Sequence, residues 1–341
     1  MSTAYNHLMR YRLPNALQGA YSELLAQLSA EASSEIAAPA RATLVRKTLK
    51  GKVYWYWQLH VDGQNRQTYL GPDSEPAVQH LLAEMAARNA RSTLCDVLRP
   101  VYGPALQGPM ARVLTALGEA RIHATGAVLV GTYAFVAYQG MFALRWPNYA
   151  ATDDIDLAAT AQPADQQIDL QQVLADTRLG FEPARFLDSA RPPVMFVLPG
   201  QRQRVDVLTP LIGRPNQLPI VVPALRTHGE PLRFLDYLLQ DSALTALPLG
   251  TGVLMRVPQP ARYALHKLLI LPRRIDPDKR AKDFAQASSL LAVLVQESPN
   301  DLATAWRALC KWPKSWRDGV ARQIRLLPAD LRGEVEDVLR A

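Results

Sequence analysis

The sequence predicts an α+β fold with a mixed-sheet core, an N-terminal β-hairpin module and a helical C-terminal region. Aromatic and β-branched residues are concentrated in residues 44–70, which is typical of strands. Short apolar runs at 127–130 and 205–208 have the length of buried strands, and helical patterns dominate after residue 260. The predicted divisions are an N-terminal helix and linker at 1–40, the β-hairpin module plus a helix at 41–109, the core at 110–230 and the helical C-terminal domain at 231–341.

Composition limits the class of protein. The chain has 341 residues, of which 48% are hydrophobic and 20% charged, which is ordinary for a soluble globular protein. No apolar run approaches the roughly 18 residues of a membrane span, and the N-terminus lacks the order of a secretory signal. Cys95 and Cys310 lie too far apart in sequence to indicate a disulfide framework or a zinc site. We therefore expect a cytoplasmic protein without membrane contact, and the net charge of +7 favours a polyanionic partner.

The N-terminal module combines cations with aromatic rings. A strand at 53–61 is followed by the turn signal Asp62-Gly63 and a second strand at 66–70. Lys47, Lys50 and Lys52 accompany these strands. Basic and aromatic residues on one sheet can bind single-stranded nucleic acid, but half of the rings could instead pack on the next domain. The sequence leaves both interpretations open.

Acidic residues in two apolar strands predict a metal site. In the run Asp153-Asp154-Ile155-Asp156-Leu157 alternate side chains share a face, so Asp154 and Asp156 point the same way. Asp206, in a second apolar strand, would supply a third carboxylate. Carboxylate oxygens are ligands that Mg²⁺ prefers, and buried carboxylates need such a partner. The arrangement predicts a displacement assisted by Mg²⁺ or Mn²⁺, in which Asp206 also accepts the proton of an attacking hydroxyl.

Gly131 and Thr132 predict a phosphate contact beside these acids. They end the apolar run 127–130 and begin a helix predicted at about 132–143. A glycine lets the backbone approach a ligand closely, and a helix N-terminus presents free N–H groups to an anion. The stretch 138–152, before the acidic strand, predicts a loop at the mouth of the site.

Taken together, these motifs resemble those of the DNA polymerase β-like nucleotidyltransferase superfamily. The resemblance rests on Val130-Gly131-Thr132, Asp154-Ile155-Asp156-Leu157 and Val205-Asp206-Val207. The segments 47–56, 69–72 and 257–269 are similar to a bacterial nucleotidyltransferase-fold family whose relatives include AbiEii-type toxins. The likeness covers most of residues 45–295, with Thr132 in place of the usual serine. It implies a nucleoside triphosphate substrate, cradled by Gly131, Thr132 and Lys267.

The sequence therefore predicts an enzyme that moves a nucleoside monophosphate to an acceptor hydroxyl and releases pyrophosphate. Likeness to tRNA-modifying toxins favours RNA or tRNA as the acceptor, and a toxin would also have a cognate antitoxin or partner protein. Nucleotidylation of a protein or a small molecule, and a non-catalytic nucleic-acid-binding protein on the same fold, remain open. A basic cluster is a candidate contact for phosphates or a nucleic-acid backbone, with a solvated helix connection as the alternative: Arg273, Arg274, Lys279 and Lys282.

Overall fold

The computed structural model of the protein describes residues 2–9, 11–33, 43–61, 64–147, 152–184, 191–213 and 218–340. The helices are α1 (Thr3–Met9), α2 (Asn15–Ala32), α3 (Pro76–Tyr102), α4 (Gly108–Glu119), α5 (Gly131–Met141), α6 (Leu170–Asp176), α7 (Leu235–Leu238), α8 (Pro260–Ile270), α9 (Pro277–Glu297), α10 (Pro299–Cys310), α11 (Lys314–Ile324) and α12 (Ala329–Arg340). The strands are β1 (Thr43–Leu49), β2 (Lys52–Val61), β3 (Gln64–Pro72), β4 (Val128–Val130), β5 (Asp154–Ala158), β6 (Glu182–Pro183), β7 (Met195–Val197), β8 (Arg204–Pro210), β9 (Ile220–Val222), β10 (Thr227–Leu232), β11 (Ala243–Leu247) and β12 (Val253–Val257).

The N-terminal module is a three-stranded antiparallel sheet in the order β1-β2-β3, which is one strand more than a hairpin. Lys50 and Gly51 connect β1 to β2 with φ angles of 50° and 77°. Positive φ at both central residues is what a tight two-residue hairpin turn requires. The predicted turn at Asp62-Gly63 lies outside the described residues. The linker is predicted at 30–40, but α2 continues to Ala32, and residues 34–40 lie outside the described part of the chain.

The core is a mixed sheet in the order β4-β5-β8-β10-β9. The sequence predicts a mixed sheet here, but not the order of its strands. β5 runs antiparallel to β4 and parallel to β8. The far edge of β8 pairs with β7 over its first residues and with β10 over its last. Ile155, Leu157, Val205 and Val207 are fully buried, and α5 packs on β4 and β5. Alternation in β5 and β8 therefore sends one set of side chains into the core and the other toward an open face.

The C-terminal region begins with an antiparallel pair, β11 and β12, before it becomes helical. Helix α8 is buried along nearly its whole length and packs against α9, α10 and α11. Trp312 stacks on Trp316 at 4.8 Å between ring centroids, and Trp316 meets Phe234 edge to face at 4.5 Å. These rings join the last helices to the loop that follows β10.

Two local predictions differ from the structure. The stretch 138–152 is not a loop over its first part, because α5 continues to Met141 and Trp146 is buried against Phe135 at 4.5 Å. The sequence also predicts a helix at about 165–179, of which the structure forms only α6. Asp169 ends it on the N-terminal side, since its side chain accepts a hydrogen bond from the Gln172 N–H at 3.0 Å.

Two further observations concern the chain as a whole. Within the described ranges, no helix combines the length and the apolar character needed to cross a membrane. Cys95 is a buried free thiol and Cys310 an exposed one.

Candidate active site

Strand register brings the three predicted acids to one face of the core sheet. Asp156 lies directly opposite Asp206 in the parallel pair of β5 and β8, and Asp154 lies opposite Arg204. Their neighbours Ile155 and Val205 are fully buried on the other face. All three carboxylates line a single cavity of about 580 Å³, together with Gly131 and Thr132.

The turn at Gly131 brings the backbone against the central acid. Gly131 has φ +63°, and a Cβ at this position would overlap Asp156 Oδ2. The hydroxyl of Tyr263, from the buried helix α8, donates a hydrogen bond to the Gly131 carbonyl at 2.9 Å. Glycine is therefore required here twice, for its backbone conformation and for the space that Asp156 occupies. Thr132 follows at the N-terminal end of α5 and is 8% exposed.

Arg204 bridges two of the acids. Its Nε donates to Asp206 Oδ2 at 3.0 Å, and its Nη2 donates to Asp154 Oδ2 at 2.8 Å. Sequence analysis assigned Arg204 no role in the site, although the signal was present. It precedes Asp206 by two residues in a strand, which places both side chains on the same face.

Burial dominates the electrostatics of the acids. It raises the pKa of Asp206 to about 6, with Arg204 opposing the shift and Asp156 adding to it. Burial likewise raises the pKa of Asp156, which Lys267 opposes and Asp154 reinforces. Burial and mutual repulsion therefore disfavour the ionised form of these carboxylates, and a nearby cation would favour it.

The donor set is of the kind that a divalent cation takes, because it consists of carboxylate oxygens. Across the part of the chain that the structure describes, no trio of His, Cys, Asp and Glu side chains is already arranged as a metal-binding group. In the structure the guanidinium of Arg204 pairs with both Asp154 and Asp206. Binding of Mg²⁺ or Mn²⁺ by Asp154, Asp156 and Asp206 stays a prediction.

Lys267 belongs to a buried ion cluster at the wall of the cavity. It is 6% exposed, and its ammonium donates to Asp283 Oδ1. Asp283 Oδ2 also accepts from Arg274 Nε at 2.7 Å. Burial lowers the pKa of Lys267 and Asp283 opposes this, whereas Lys267 and Arg274 outweigh burial and hold the pKa of Asp283 below its ordinary value. The role of Lys267 as a triphosphate contact stays a prediction.

His266 lines the same cavity without serving as a base. Its Nε2 is buried without a hydrogen-bond partner, and burial, followed by the charge of Lys267, lowers the pKa of His266 to about 3. It is therefore neutral at pH 7.

The basic cluster also reaches the cavity. Arg273, Arg274, Lys279 and Lys282 all contribute to its wall, so the structure brings them together with the acids. Their contact with phosphates stays a prediction. Sequence analysis gave no role to Phe234, whose ring lies 4.9 Å from the Arg273 guanidinium and whose φ is +73°. Phe234 and Arg273 lie far apart in sequence, so their contact at the cavity wall is visible only in the folded structure.

Replacing Asp206 should stabilise the metal-free protein at high pH. The carboxyl is 19% exposed, and its pKa of about 6 exceeds the ordinary value of 3.8, so the folded state binds the proton more tightly than the unfolded state. This stabilisation is complete below pH 3.8 and is lost as pH rises through 6, so the ionised carboxylate costs roughly 3 kcal/mol at pH 8.

Asp206→Asn should therefore gain up to roughly 3 kcal/mol at pH 8 and little at pH 4, measured by urea unfolding in EDTA. Equal free energies of unfolding for the wild type and Asp206→Asn at pH 8 would show that the ionised Asp206 carboxylate does not destabilise the fold. Asp153→Asn is the matched control, because Asp153 is absent from the cavity wall and accepts a hydrogen bond from Gln203 Nε2 at 2.9 Å, which asparagine can also accept.

The mixed sheet, the glycine turn and the acidic face together define a nucleotidyltransferase-like α+β protein. Residues 109–311, more than half of the chain, match the sequence profile of the family described as Nucleotidyltransferase, and the chain belongs to that family. An antigenic nucleotidyltransferase-like protein from Paracoccidioides brasiliensis is similar in structure over 62% of this chain and 93% of that one. Identity is 16% and the TM-score 0.32, so this likeness has no bearing on function. No curated protein matches the sequence.

Proposed function

We propose that this protein transfers a nucleoside monophosphate from a nucleoside triphosphate to an acceptor hydroxyl and releases pyrophosphate. The observation that carries the proposal is the register of β5 and β8, which sets Asp156 opposite Asp206 beside the turn at Gly131. Three half-buried carboxylates on one face of a sheet repel one another, and they suit the binding of a divalent cation.

Different side chains serve the nucleoside triphosphate and the acceptor hydroxyl. Asp154, Asp156 and Asp206 would hold Mg²⁺ or Mn²⁺, which when bound neutralises phosphate charge and acidifies the acceptor hydroxyl. The N–H groups at the start of α5 and the hydroxyl of Thr132 face the triphosphate. Asp206, whose pKa burial raises to about 6, accepts the acceptor proton. The acceptor oxygen then bonds to the α-phosphorus as the bond to the β-phosphate oxygen breaks, and pyrophosphate leaves.

RNA is the acceptor that the surface favours. Arg273, Arg274, Lys279 and Lys282 extend the positive wall of the cavity, and the chain as a whole carries a net charge of +7. A polyanion whose end carries a hydroxyl satisfies both the charge and the chemistry. Similarity to tRNA-modifying toxins supports tRNA within this class and, with it, a cognate antitoxin as a partner.

The test is transfer of label from α-labelled ATP, CTP, GTP and UTP to total RNA and total protein. We expect Mg²⁺ or Mn²⁺ to support labelling of a discrete RNA, EDTA to abolish it, and Asp156→Asn to remove it. Asp153→Asn should label like the wild type, because it changes a neighbouring acid outside the cavity wall. Label in a protein band or on a small molecule would identify an acceptor other than RNA. Absence of label with every nucleotide would contradict the proposal.

A non-catalytic nucleic-acid-binding protein is the second candidate, favoured by Arg204, whose guanidinium pairs with both Asp154 and Asp206. Thermal stability separates the two. A transferase should be stabilised by nucleotide with Mg²⁺, whereas a non-catalytic binding protein should not respond to nucleotide with Mg²⁺.

A further inference from the structure

Three tyrosines lie side by side on one face of the N-terminal sheet. Register pairs Tyr56 with Tyr69 and Lys47 with Tyr54, and cross-strand partners share a face. The ring of Tyr69 lies 5.4 Å from that of Tyr56 and 6.2 Å from that of Tyr54, measured between centroids. We call this surface, formed by Tyr54, Tyr56, Tyr69 and Lys47, the tyrosine face.

Polar groups hold the tyrosine face in place. Lys47 Nζ lies 4.5 Å from the centroid of the Tyr56 ring and donates to Gln67 Oε1 at 2.5 Å. Gln67 in turn donates to Gln58 Oε1 at 2.7 Å. The rings are therefore positioned by a network across all three strands, while Tyr69 remains 53% exposed.

The opposite face of the sheet makes the packing contacts of the module. Trp57 on that face is 8% exposed, and Trp55 Nε1 donates to Asp73 at 2.8 Å. Helix α3 packs against β3, where its residue Val78 lies beside Gly71. Since the tryptophan side anchors the sheet, packing on a neighbouring domain does not explain the tyrosine side.

Charge indicates the occupant of the tyrosine face. Residues 43–72 contain five arginines and lysines, against the single acid Asp62: Arg46, Lys47, Lys50, Lys52 and Arg66. Register places Lys47 and Lys52 on the tyrosine face, whereas Arg46 and Arg66 pair with residues of the opposite face. Tyrosine rings beside cations match a strand whose bases stack while its phosphates are neutralised. A duplex keeps its bases stacked inside and cannot use the rings. The amides of Gln58 and Gln67 add donors and acceptors for a ribose 2′-hydroxyl.

We propose that the tyrosine face binds single-stranded RNA, with bases stacked on Tyr54, Tyr56 and Tyr69 and the phosphate backbone along the neighbouring cations. Binding at this surface requires neither nucleotide nor metal. The proposal of RNA binding is therefore independent of whether the protein catalyses nucleotidyl transfer.

The experiment is fluorescence anisotropy of a labelled single-stranded RNA of about 12 nucleotides with the full chain in EDTA, without nucleoside triphosphate. We expect Tyr56→Ala and Tyr69→Ala each to weaken binding by about 5- to 150-fold, while Tyr69→Phe keeps the ring and binds like the wild type. Lys47→Gln should reduce the slope of log affinity against log salt by about 0.7. A 4-thiouridine strand should crosslink to β2 or β3.

The matched control is Tyr11→Ala, which removes a tyrosine of 37% exposure outside the module. It should bind RNA like the wild type. Far-ultraviolet circular dichroism confirms that each variant is folded, and Tyr69→Phe provides a second test should an alanine variant unfold. Unchanged affinity in folded Tyr56→Ala and Tyr69→Ala would overturn the proposal, as would tighter binding of duplex RNA or of single-stranded DNA.

Discussion

Gly131→Ala is expected to lower nucleotidyl transfer by about 100-fold or more while the protein remains folded. The new methyl group would occupy the space of Asp156 Oδ2, so the carboxylate must leave its present position opposite Asp206. The positive φ of +63° adds a backbone cost of about 1–2 kcal/mol for an L-residue with a side chain. Labelled transfer at saturating nucleotide measures the loss, and urea unfolding measures the strain.

Gly126→Ala separates these two effects. Gly126 also has a positive φ, +79°, but a Cβ there meets nothing within 4 Å. It should therefore show a similar loss of stability and near-normal transfer. Similar transfer rates for the two variants would mean that the position of Asp156 against Gly131 does not matter for the reaction.

Lys267→Met is expected to destabilise the fold by about 3 kcal/mol at pH 7, because it leaves Asp283 buried with only half of its counter-charge. Both side chains of the pair are nearly inaccessible, at 7% exposure for Lys267 and 6% for Asp283. Arg274 keeps its contact with Asp283, which holds the loss near the lower end of the range for a broken buried pair. Urea unfolding gives the free energy directly.

Arg274→Met is the comparison for that measurement. Its side chain is 39% exposed, and ion pairs of exposed arginines contribute about 1 kcal/mol or less. The double variant Lys267→Met, Asp283→Leu removes both buried charges and should recover most of the loss. If Lys267→Met were as stable as Arg274→Met, the buried pair would have no structural role, and a role for Lys267 at the triphosphate would explain its position better.

The acidic face was predictable because strand alternation is a local rule. Asp154 and Asp156 are two residues apart in an apolar run, and the rule places them together without knowledge of the fold. The same rule places Arg204 beside Asp206, although Arg204 was assigned no role in the site from the sequence. The glycine turn followed from a pattern of similarly short range, whereas the mixed sheet of the core was implied by the family resemblance.

Long-range partners could not be predicted in this way. Asp283 meets Lys267 because α8 and α9 pack together, and Phe234 meets Arg273 because the loop after β10 approaches the end of α8. Sequence spacing carries no information about either pair. The burial of Lys267 could not be predicted for a related reason, because it depends on a buried acid on another helix.

The bridge made by Arg204 has a consequence for how the protein is made. Three carboxylates gathered on one sheet would resist folding if each had to wait for an external ion. Because the strand that carries Asp206 also carries Arg204, the chain supplies a counter-ion of its own to this face of the sheet. We therefore expect the protein to complete its fold without metal or nucleotide in the surrounding solution.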